Sequence, residues 1–310
     1  MKIVFLDAKT IGDDIDLSEF HQLGEVVKYD NSTSEEVPSR VTDADVIITN
    51  KVKINADTVG KAKNLKLVCL TATGTDNVDK DYLAQRDIGW RNVAGYSTNS
   101  VAGHTFSMLF YLLTKTRYYD DYVKTEAYVN DHIFTHFDEK FYELAGKTWG
   151  IIGLGAIGRQ VANIAKAFGC HVIYYSTSGQ NSHPDYEQVD FETLLKRSDI
   201  ISIHAPLTDA TFNLIDADAL EKMKPTAILI NVGRGPIIDE QALAHALNND
   251  VITAAGLDVL TVEPMLENNP LRCIKDSKKL LITPHIAWAS VEARTRLMKL
   301  VLNNIVTYFE

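Results

Sequence analysis

Residues 147–158 of the chain read Lys-Thr-Trp-Gly-Ile-Ile-Gly-Leu-Gly-Ala-Ile-Gly, and an alanine-rich stretch continues to residue 169. An apolar run typical of a strand meets three glycines spaced G-x-G-x-x-G, and helical periodicity follows them. The first glycine permits a tight turn, the second lets the backbone approach a pyrophosphate, and the third permits close helix–strand packing. Free N–H groups at the helix start face the anion. The pattern favours a dinucleotide-binding turn over an ordinary glycine turn, with contacts from Gly153, Gly155, Ala156, Ile157 and Gly158.

Composition bounds the class of protein. A chain of 310 residues with 45% hydrophobic content is long enough for two domains with cores of their own. No apolar run approaches the roughly 20 residues of a membrane span, and the N-terminus reads as a strand, so we expect a soluble, cytoplasmic protein. The net charge is −10 and basic residues are not clustered, which argues against nucleic acid or an anionic membrane as partner. Three scattered cysteines lack metal-site spacing and read as buried, reduced thiols.

The first hundred residues alternate strand and helix signals. Strand-like runs lie at 2–7, 25–29, 46–49 and 65–70, with a helix-like piece at 17–23. Such alternation predicts a parallel sheet whose ligand crevice lies beyond the carboxyl ends of the strands. The loop 71–79 sits there: its small residues around Gly74 could present amides to a carboxylate, or the loop could be a turn capped by Asp or Asn.

The second half repeats the alternation more completely. A long apolar helix is predicted at 101–115, and an irregular connection follows at 132–144. Five strands after the glycine-rich turn complete a six-stranded parallel sheet, at 171–175, 200–204, 227–232, 252–257 and 280–283. Helices are predicted between them at 191–196, 216–223 and 240–247. The amphipathic helix 291–308 is expected to pack back onto the first domain.

The residue at the end of the second strand of this sheet bears on the cofactor. An acidic residue about 20 positions after the glycines usually binds the adenosine ribose of NAD, but Ser176 holds that place. Loss of the carboxylate weakens the argument for NAD. No Arg or Lys lies between Ser176 and Phe191 to bind the 2′-phosphate of NADP. We favour NAD(H) and leave use of NADP(H) open.

Three side chains follow the ends of later strands, namely Arg234, Glu263 and His285. A guanidinium flanked by glycines can bind a carboxylate in bidentate fashion. A histidine carries a proton near neutral pH, and a nearby carboxylate stabilises its protonated ring and orients it. Each residue also has a plainer interpretation as a surface ion pair, a turn cap or a core histidine. Together they suit the reduction of a 2-oxo acid.

Five ordered motifs resemble the D-isomer-specific 2-hydroxyacid dehydrogenase family over essentially the whole chain. They are Gly-Leu-Gly-Ala-Ile-Gly (153–158), His-Ala-Pro-Leu-Thr (204–208), Asn-Val-Gly-Arg-Gly (231–235), Gly-Leu-Asp-Val (256–259) with Glu-Pro (263–264), and Pro-His (284–285). The segments 71–79, 95–96 and 285–290 are most similar to its glycerate dehydrogenase, or hydroxypyruvate reductase, branch. The fold implied is α/β with two doubly wound parallel-sheet domains. A Rossmann nucleotide-binding domain (100–286) is inserted in a flavodoxin-like substrate-binding domain (1–99 and 287–310).

The resemblance also implies roles for individual residues. The family's carboxylate-binding arginine falls on Arg234, its general acid/base on His285 and the partner of that histidine on Glu263. Substrate contacts fall on the backbone amides of Thr73 and Gly74, with Tyr96 near the pocket. Cofactor contacts fall on Ser176, His204, Pro206, Thr211, Val232 and Asp258, the last at the nicotinamide end. Besides Ser176, one position departs from the common pattern: Gly103 stands where an acidic or amide side chain is frequent.

The function implied is NAD(P)H-dependent reduction of a small 2-oxo acid, such as hydroxypyruvate or glyoxylate to D-glycerate or glycolate. A larger apolar acid such as phenylpyruvate is the alternative substrate. A non-catalytic dinucleotide-sensing protein would not need the three strand-end side chains together. Glu263 argues against a formate dehydrogenase, and the absence of a basic phosphate site argues against a phosphoglycerate dehydrogenase. By the same resemblance we expect a homodimer, for which the apolar helix at 101–113 would suit the interface.

Overall fold

The computed structural model describes residues 1–180 and 182–310. The chain divides into two compact units, one formed by Met1–Ser97 with Trp288–Glu310 and the other by Thr98–Ala287. The sequence placed the boundaries at 99/100 and 286/287. The assignment of substrate binding to the first unit and cofactor binding to the second stays a prediction.

The first unit is built on a five-stranded parallel sheet. Its strands are β1 (Lys2–Phe5), β2 (Glu25–Lys28), β3 (Val46–Thr49), β4 (Leu67–Leu70) and β5 (Gly89–Arg91), in the order β2-β1-β3-β4-β5. This order is that of flavodoxin-like folds. Between the strands lie α1 (Val37–Arg40), α2 (Ala56–Val59) and α3 (Lys80–Gln85), and the piece predicted at 17–23 is a 3-10 helix, Ser18–Gln22. The fifth strand was not predicted, because Gly89 and Trp90 are only half-buried, Arg91 is exposed and the three residues form no apolar run.

The C-terminal helix, Val291–Phe309, belongs to this first unit. Its buried residues recur every three or four positions and pack into one core with β1, β3 and β4. Burial of each such side chain stabilises the fold by about 1.5–3 kcal/mol. The helix begins where the Ser290 hydroxyl accepts a hydrogen bond from the Ala293 amide at 3.2 Å. Two apolar residues of this helix, Val291 and Leu300, are 52% and 38% exposed and so lie off the buried face.

The second unit carries a seven-stranded parallel sheet. Its strands are β6 (Thr148–Ile152), β7 (His171–Tyr175), β8 (Glu187–Gln188), β9 (Ile200–Ile203), β10 (Ile228–Asn231), β11 (Ala254–Leu257) and β12 (Leu280–Ile282). The order is β12-β11-β10-β9-β6-β7-β8, which is the Rossmann order with one further strand at the β12 edge. The two-residue strand β8 was not predicted, because both of its residues are polar and exposed. The predicted fold class is confirmed.

The α-helices among the described residues of this unit are α4 (Thr98–Leu113), α5 (Thr116–Val123), α6 (Glu126–Val129), α7 (Ala156–Ala167), α8 (Phe191–Arg197), α9 (Ala217–Lys222) and α10 (Glu240–Asn248). Short 3-10 helices lie at Gly235–Ile237, Pro270–Cys273 and Ser277–Lys279. Helices α8, α9 and α10 begin at aspartates whose carboxylates accept backbone amides of the first turn, namely Asp190, Asp216 and Asp239. Most apolar residues of α4 are buried in the core of this unit, from Ala102 to Leu113. These side chains face the core of their own unit, and an intersubunit interface through the helix stays a prediction.

Two of the three cysteines fit the expectation of buried thiols. Cys69 and Cys170 are buried, whereas Cys273 is exposed. Burial raises the pKa of the Cys69 thiol to about 12 and that of Cys170 to about 11, so both are inert at neutral pH. Within residues 1–180 and 182–310, no helix combines the length and the apolar character that a membrane crossing requires.

Candidate active site

The glycine-rich turn lies between β6 and α7. Gly153 has φ +90°, a conformation that L side chains rarely adopt, and a Cβ on Gly158 would lie 2.2 Å from the Gly153 carbonyl oxygen. Both positions therefore require glycine. A Cβ on Gly155 would meet no atom within 4 Å, so this part of the turn is open. Open space beside the amides that begin a twelve-residue helix fits a pyrophosphate.

The strand that follows this turn ends at a buried hydroxyl. Ser176 is 7% exposed, and its Oγ has no hydrogen-bond partner among the described residues. Buried hydroxyls are normally paired. An orphaned Ser176 Oγ at the place of the ribose-binding acid therefore fits a ligand hydroxyl or phosphate oxygen.

A second orphaned group follows β9. The Trp149 indole N–H donates to Ser202 Oγ at 2.8 Å, and Ser202 Oγ lies 2.9 Å from His204 Nε2. If the Ser202 hydroxyl donates to His204 Nε2, only His204 Nδ1 is left without a partner. If Nε2 donated to Ser202 Oγ instead, both the serine hydrogen and Nδ1 would lack partners. We therefore place the hydrogen on Nδ1, which is buried and unpaired among the described residues. Burial lowers the pKa of His204 to about 3, so the ring is neutral.

The loop after His204 is closed by its own residues. Thr211 Oγ1 donates to the Pro206 carbonyl at 2.8 Å and accepts from the Thr208 amide at 2.8 Å. Thr211 is 1% exposed, whereas Pro206 is exposed. The hydroxyl of Thr211 therefore shapes this loop, and contact with a cofactor stays a prediction for both residues.

Arg234 lies in the loop after β10. The Asn231 side chain holds this loop, since its amide donates to the Arg234 carbonyl at 2.9 Å and its oxygen accepts from the Gly233 amide at 3.0 Å. Arg234 Nη1 donates to the Gly233 carbonyl at 2.9 Å, and the residue is half-buried, as is Val232. A Cβ on Gly235 would lie 2.0 Å from the carbonyl carbon of Leu260. The loop that carries Arg234 therefore abuts the loop that leads to Glu263.

His285 and Glu263 form a hydrogen-bonded pair. His285 Nδ1 lies 2.8 Å from Glu263 Oε2, and the side chains are 24% and 32% exposed. The other Glu263 oxygen accepts the Leu260 amide at 3.0 Å, which fixes the carboxylate. Because Glu263 accepts from Nδ1, the second ring nitrogen of His285 is the one that can exchange a proton with a substrate.

Asp258 organises the backbone around His285. Its carboxylate is 1% exposed and accepts the amides of Ile286 at 2.9 Å and Ala287 at 2.8 Å, and the Thr283 hydroxyl at 2.6 Å. The His285 amide donates to the Asp258 carbonyl at 2.8 Å. The carboxylate therefore holds the histidine segment, and its predicted contact with nicotinamide would be an additional role.

The three predicted substrate-binding residues of the first unit lie at the ends of β4 and β5. The Thr73 hydroxyl donates to the Val93 carbonyl at 3.0 Å, and Gly74 follows it in the loop. This loop ends at Asp79, whose carboxylate accepts the Tyr82 amide at the start of α3, so the capping interpretation holds for its end. Tyr96 is 4% exposed and packs edge-on against Trp288. Carboxylate binding by Thr73, Gly74 and Tyr96 stays a prediction.

Sequence reasoning missed the supporting residues. Trp149 and Ser202 orient His204, while Thr283 and His104 adjoin Asp258. No spacing rule links Trp149 to Ser202 or His104 to Thr283, because the members of each pair lie on elements far apart in the chain. Thr283 alone carries a signal, since it ends a predicted strand two residues before His285.

A Rossmann sheet, an open glycine-rich turn at its switch point and a histidine–carboxylate pair at the ends of its strands define a nucleotide-dependent oxidoreductase. Comparison with known proteins makes the class specific. The family model for the D-isomer specific 2-hydroxyacid dehydrogenase, NAD binding domain, matches residues 106–287. The chain belongs to this family of oxidoreductases acting on CH–OH groups, which confirms the resemblance.

Individual relatives agree. The glycerate dehydrogenase of Methylorubrum extorquens is 38% identical over 308 residues, covering 99% of this chain and 96% of the relative. The hydroxypyruvate reductase of Blautia hydrogenotrophica is 35% identical, covering 100% of this chain and 97% of the relative. Among solved structures, an acyclic imino acid reductase in complex with NADPH and D-Arg is 32% identical with a TM-score of 0.87, covering 100% of this chain and 97% of that one. The cofactor is NAD(H) or NADP(H).

Proposed function

We propose that this protein reduces a small 2-oxo acid, with hydroxypyruvate and glyoxylate as the first candidates, to the D-2-hydroxy acid. The observation that carries the proposal is the His285–Glu263 pair at 2.8 Å, which stands on the loops after β11 and β12. Similarity to a glycerate dehydrogenase and a hydroxypyruvate reductase over nearly the whole chain supports the substrate class.

The chain's own residues divide the work. When bound, NAD(P)H supplies the hydride that adds to the 2-carbon. Arg234 binds the substrate carboxylate, because its guanidinium presents paired donors from a loop that Asn231 holds. His285 gives the proton on Nε2, the ring nitrogen that does not face Glu263, to the developing alkoxide. Glu263 stabilises the charged ring before the transfer. The backbone amides of Thr73 and Gly74 are proposed as a further carboxylate site, with Tyr96 beside it.

We also propose which residues bind the cofactor. The amides of Ala156, Ile157 and Gly158 would hold the pyrophosphate, and Ser176 Oγ would bind the adenosine ribose. His204, with a neutral ring, would donate its Nδ1–H to the cofactor. The remaining proposed cofactor contacts are Pro206, Thr211, Val232 and Asp258. We favour NADH over NADPH, because no Arg or Lys follows Ser176 before Phe191 and His183 is the only basic side chain in that stretch.

The test is loss of NADH or NADPH absorbance with hydroxypyruvate, glyoxylate, pyruvate and phenylpyruvate in parallel. Turnover of hydroxypyruvate or glyoxylate well above that of phenylpyruvate is the expected result. Preference for phenylpyruvate would contradict the substrate class. A higher kcat/KM with NADPH would overturn the cofactor preference, and inactivity of folded protein with every pair would favour a binding role.

We further propose a cytoplasmic homodimer. Free cysteines are typical of a reducing compartment. The segment 123–142 exposes a series of large apolar side chains, including Val129 at 71%, Ile133 at 62%, Phe134 at 88% and Phe137 at 76%. Exposed apolar surface of this kind marks interaction sites. Sedimentation should give the mass of a dimer, and Phe134→Ser with Phe137→Ser should give a monomer, whereas Phe309→Ser on the C-terminal helix should leave the mass unchanged.

A further inference from the structure

One face of α4 contacts both ends of the segment that carries His285. The Ser100 hydroxyl donates to the Ala287 carbonyl at 2.7 Å, and His104 Nε2 lies 3.0 Å from Thr283 Oγ1. Residues four positions apart lie on the same face of a helix. Ser100 and His104 therefore hold the segment 283–287 on either side of His285.

The direction of these hydrogen bonds follows from the chemistry of the groups. The Thr283 hydroxyl donates to Asp258 Oδ1 at 2.6 Å, and a carboxylate can only accept. The only hydrogen of the Thr283 hydroxyl is therefore engaged with Asp258, so Thr283 Oγ1 acts as an acceptor toward His104. His104 Nε2 therefore carries a hydrogen and donates it to Thr283 Oγ1. His104 Nε2 also lies 3.5 Å from Asp258 Oδ1. A relay thus runs from His104 through Thr283 to Asp258.

The segment needs such support, because His285 has φ +55°. This left-handed conformation is unfavourable for residues other than glycine, and it persists only where the surroundings hold it. Asp258 holds it through the amides of Ile286 and Ala287. The Asp258 carboxylate therefore holds the backbone turn from which the His285 side chain extends.

We propose that His104 is a positioning residue for the proton donor His285. The inference rests on the proposed function. His104 acts by donating to Thr283 Oγ1, which directs the threonine hydroxyl onto Asp258. Without this donor the Thr283 hydroxyl can rotate away from the carboxylate, and the turn that carries His285 loosens. A displacement of about 1 Å in a reacting group can reduce the rate about a hundredfold.

The experiment compares His104→Leu, which removes the donor, with His104→Gln, whose amide can restore an N–H near the same place. Gly103→Ala is the matched control, since it lies on the same helix and its Cβ would enter open space. The kcat and KM for hydroxypyruvate are measured for each, with NADH binding followed separately by fluorescence.

We expect kcat to fall about ten- to a hundredfold in His104→Leu, with the KM for the 2-oxo acid within about threefold, because a displaced proton donor affects the transition state more than substrate binding. His104→Gln should recover most of the loss, and Gly103→Ala should match the wild type. Thr283→Val breaks the relay at the next atom and should reproduce the kcat loss, with no further loss in the double variant.

A second measurement does not depend on turnover. Amide hydrogen exchange of residues 286 and 287 should accelerate in His104→Leu and Thr283→Val, and not in Gly103→Ala. Unchanged exchange and unchanged kcat in a folded His104→Leu would overturn the inference. If that variant does not fold, unchanged exchange and unchanged kcat in a folded Thr283→Val would overturn the inference. Wild-type protein inactive on every 2-oxo acid would refute the proposed function, and the exchange data would still show whether His104 holds the segment.

Discussion

Both sheets have a buried aspartate just after one of their strands, and in each case its carboxylate binds the loop that follows the neighbouring strand. The two loops differ in what they carry. In the first unit, buried Asp7 follows β1 and accepts the Thr49 hydroxyl at 3.1 Å and the amides of Asn50 and Lys51 at 3.0 and 2.8 Å. In the second unit, buried Asp258 follows β11 and accepts one threonine hydroxyl and two amides from the loop after β12. Each aspartate thus ties down the loop that follows the neighbouring parallel strand.

The difference lies in what the tied loop carries. The second loop places His285 in a left-handed conformation and pairs it with Glu263, whereas no histidine lies in the loop after Thr49. A buried carboxylate at a strand end is therefore a structural device by itself. In the second unit it supports the candidate site because the loop that it holds carries His285, the proposed proton donor.

The comparison is tested most strongly by His285→Ala. We expect kcat for hydroxypyruvate reduction to fall about 10²- to 10⁴-fold, because general acid catalysis is lost. NADH binding, followed by fluorescence, should change little. His171→Ala, at an exposed histidine at the other end of the same sheet, is the control. A kcat within about threefold of the wild type would refute the role of His285.

The two aspartates can be compared directly. Asp7→Asn and Asp258→Asn should each lower the free energy of unfolding by about 1.5–3 kcal/mol, since hydrogen bonds to a charged acceptor are lost and the new amide faces other donors. Denaturant unfolding measures this. Only Asp258→Asn should also reduce kcat per folded molecule, because its loop carries His285. An equal loss of kcat in Asp7→Asn would remove the distinction between the two loops.

Acid should affect the two sheet edges in opposite directions. The folded pKa of His204 is about 3, below the ordinary 6.5, so the unfolded chain binds the extra proton and stability is lost as pH falls below about 6.5. Burial raises the pKa of Asp7, so its folded form binds a proton more readily than the unfolded chain and gains relative stability as pH falls through the raised value.

Thermal unfolding between about pH 8 and pH 5.5 measures the histidine contribution, which we expect to be about 1 kcal/mol. His204→Gln should flatten this part of the stability curve, and His171→Gln, at an exposed histidine of the same sheet, is the control. A curve that keeps its slope in His204→Gln would contradict the neutral, buried state of the ring.

The smallest expected effect concerns the helix that holds the His285 loop. Gly103→Ala should raise the free energy of unfolding by about 0.5–1 kcal/mol, because alanine favours the interior of a helix and its methyl group would enter open space. Denaturant unfolding measures the gain, and kcat should stay unchanged, since residue 103 lies off the face that contacts the loop. A loss of stability would show that this position is not open.

Much of the fold follows from local sequence. Strands such as β3 and β10 are unbroken apolar runs, and the glycine-rich turn carries its own steric logic at Gly153 and Gly158. The short strands β5 and β8 were missed because they sit at sheet edges with polar or half-buried residues, so that pairing with a neighbour, not composition, makes them strands.

Short windows of sequence were enough to predict most strands and helices along the chain, because these depend on periodicity. They also predicted the glycine-rich turn from its steric demands, and they singled out Arg234, Glu263 and His285 by their chemistry. Only the tertiary structure decided that His285 meets Glu263, that Asp258 holds the histidine loop, and that Ser100 and His104 brace it. Those contacts join residues up to 187 positions apart. They exist because parallel strands bring their carboxyl ends to one edge of the sheet, and no local pattern encodes which of the side chains there will touch.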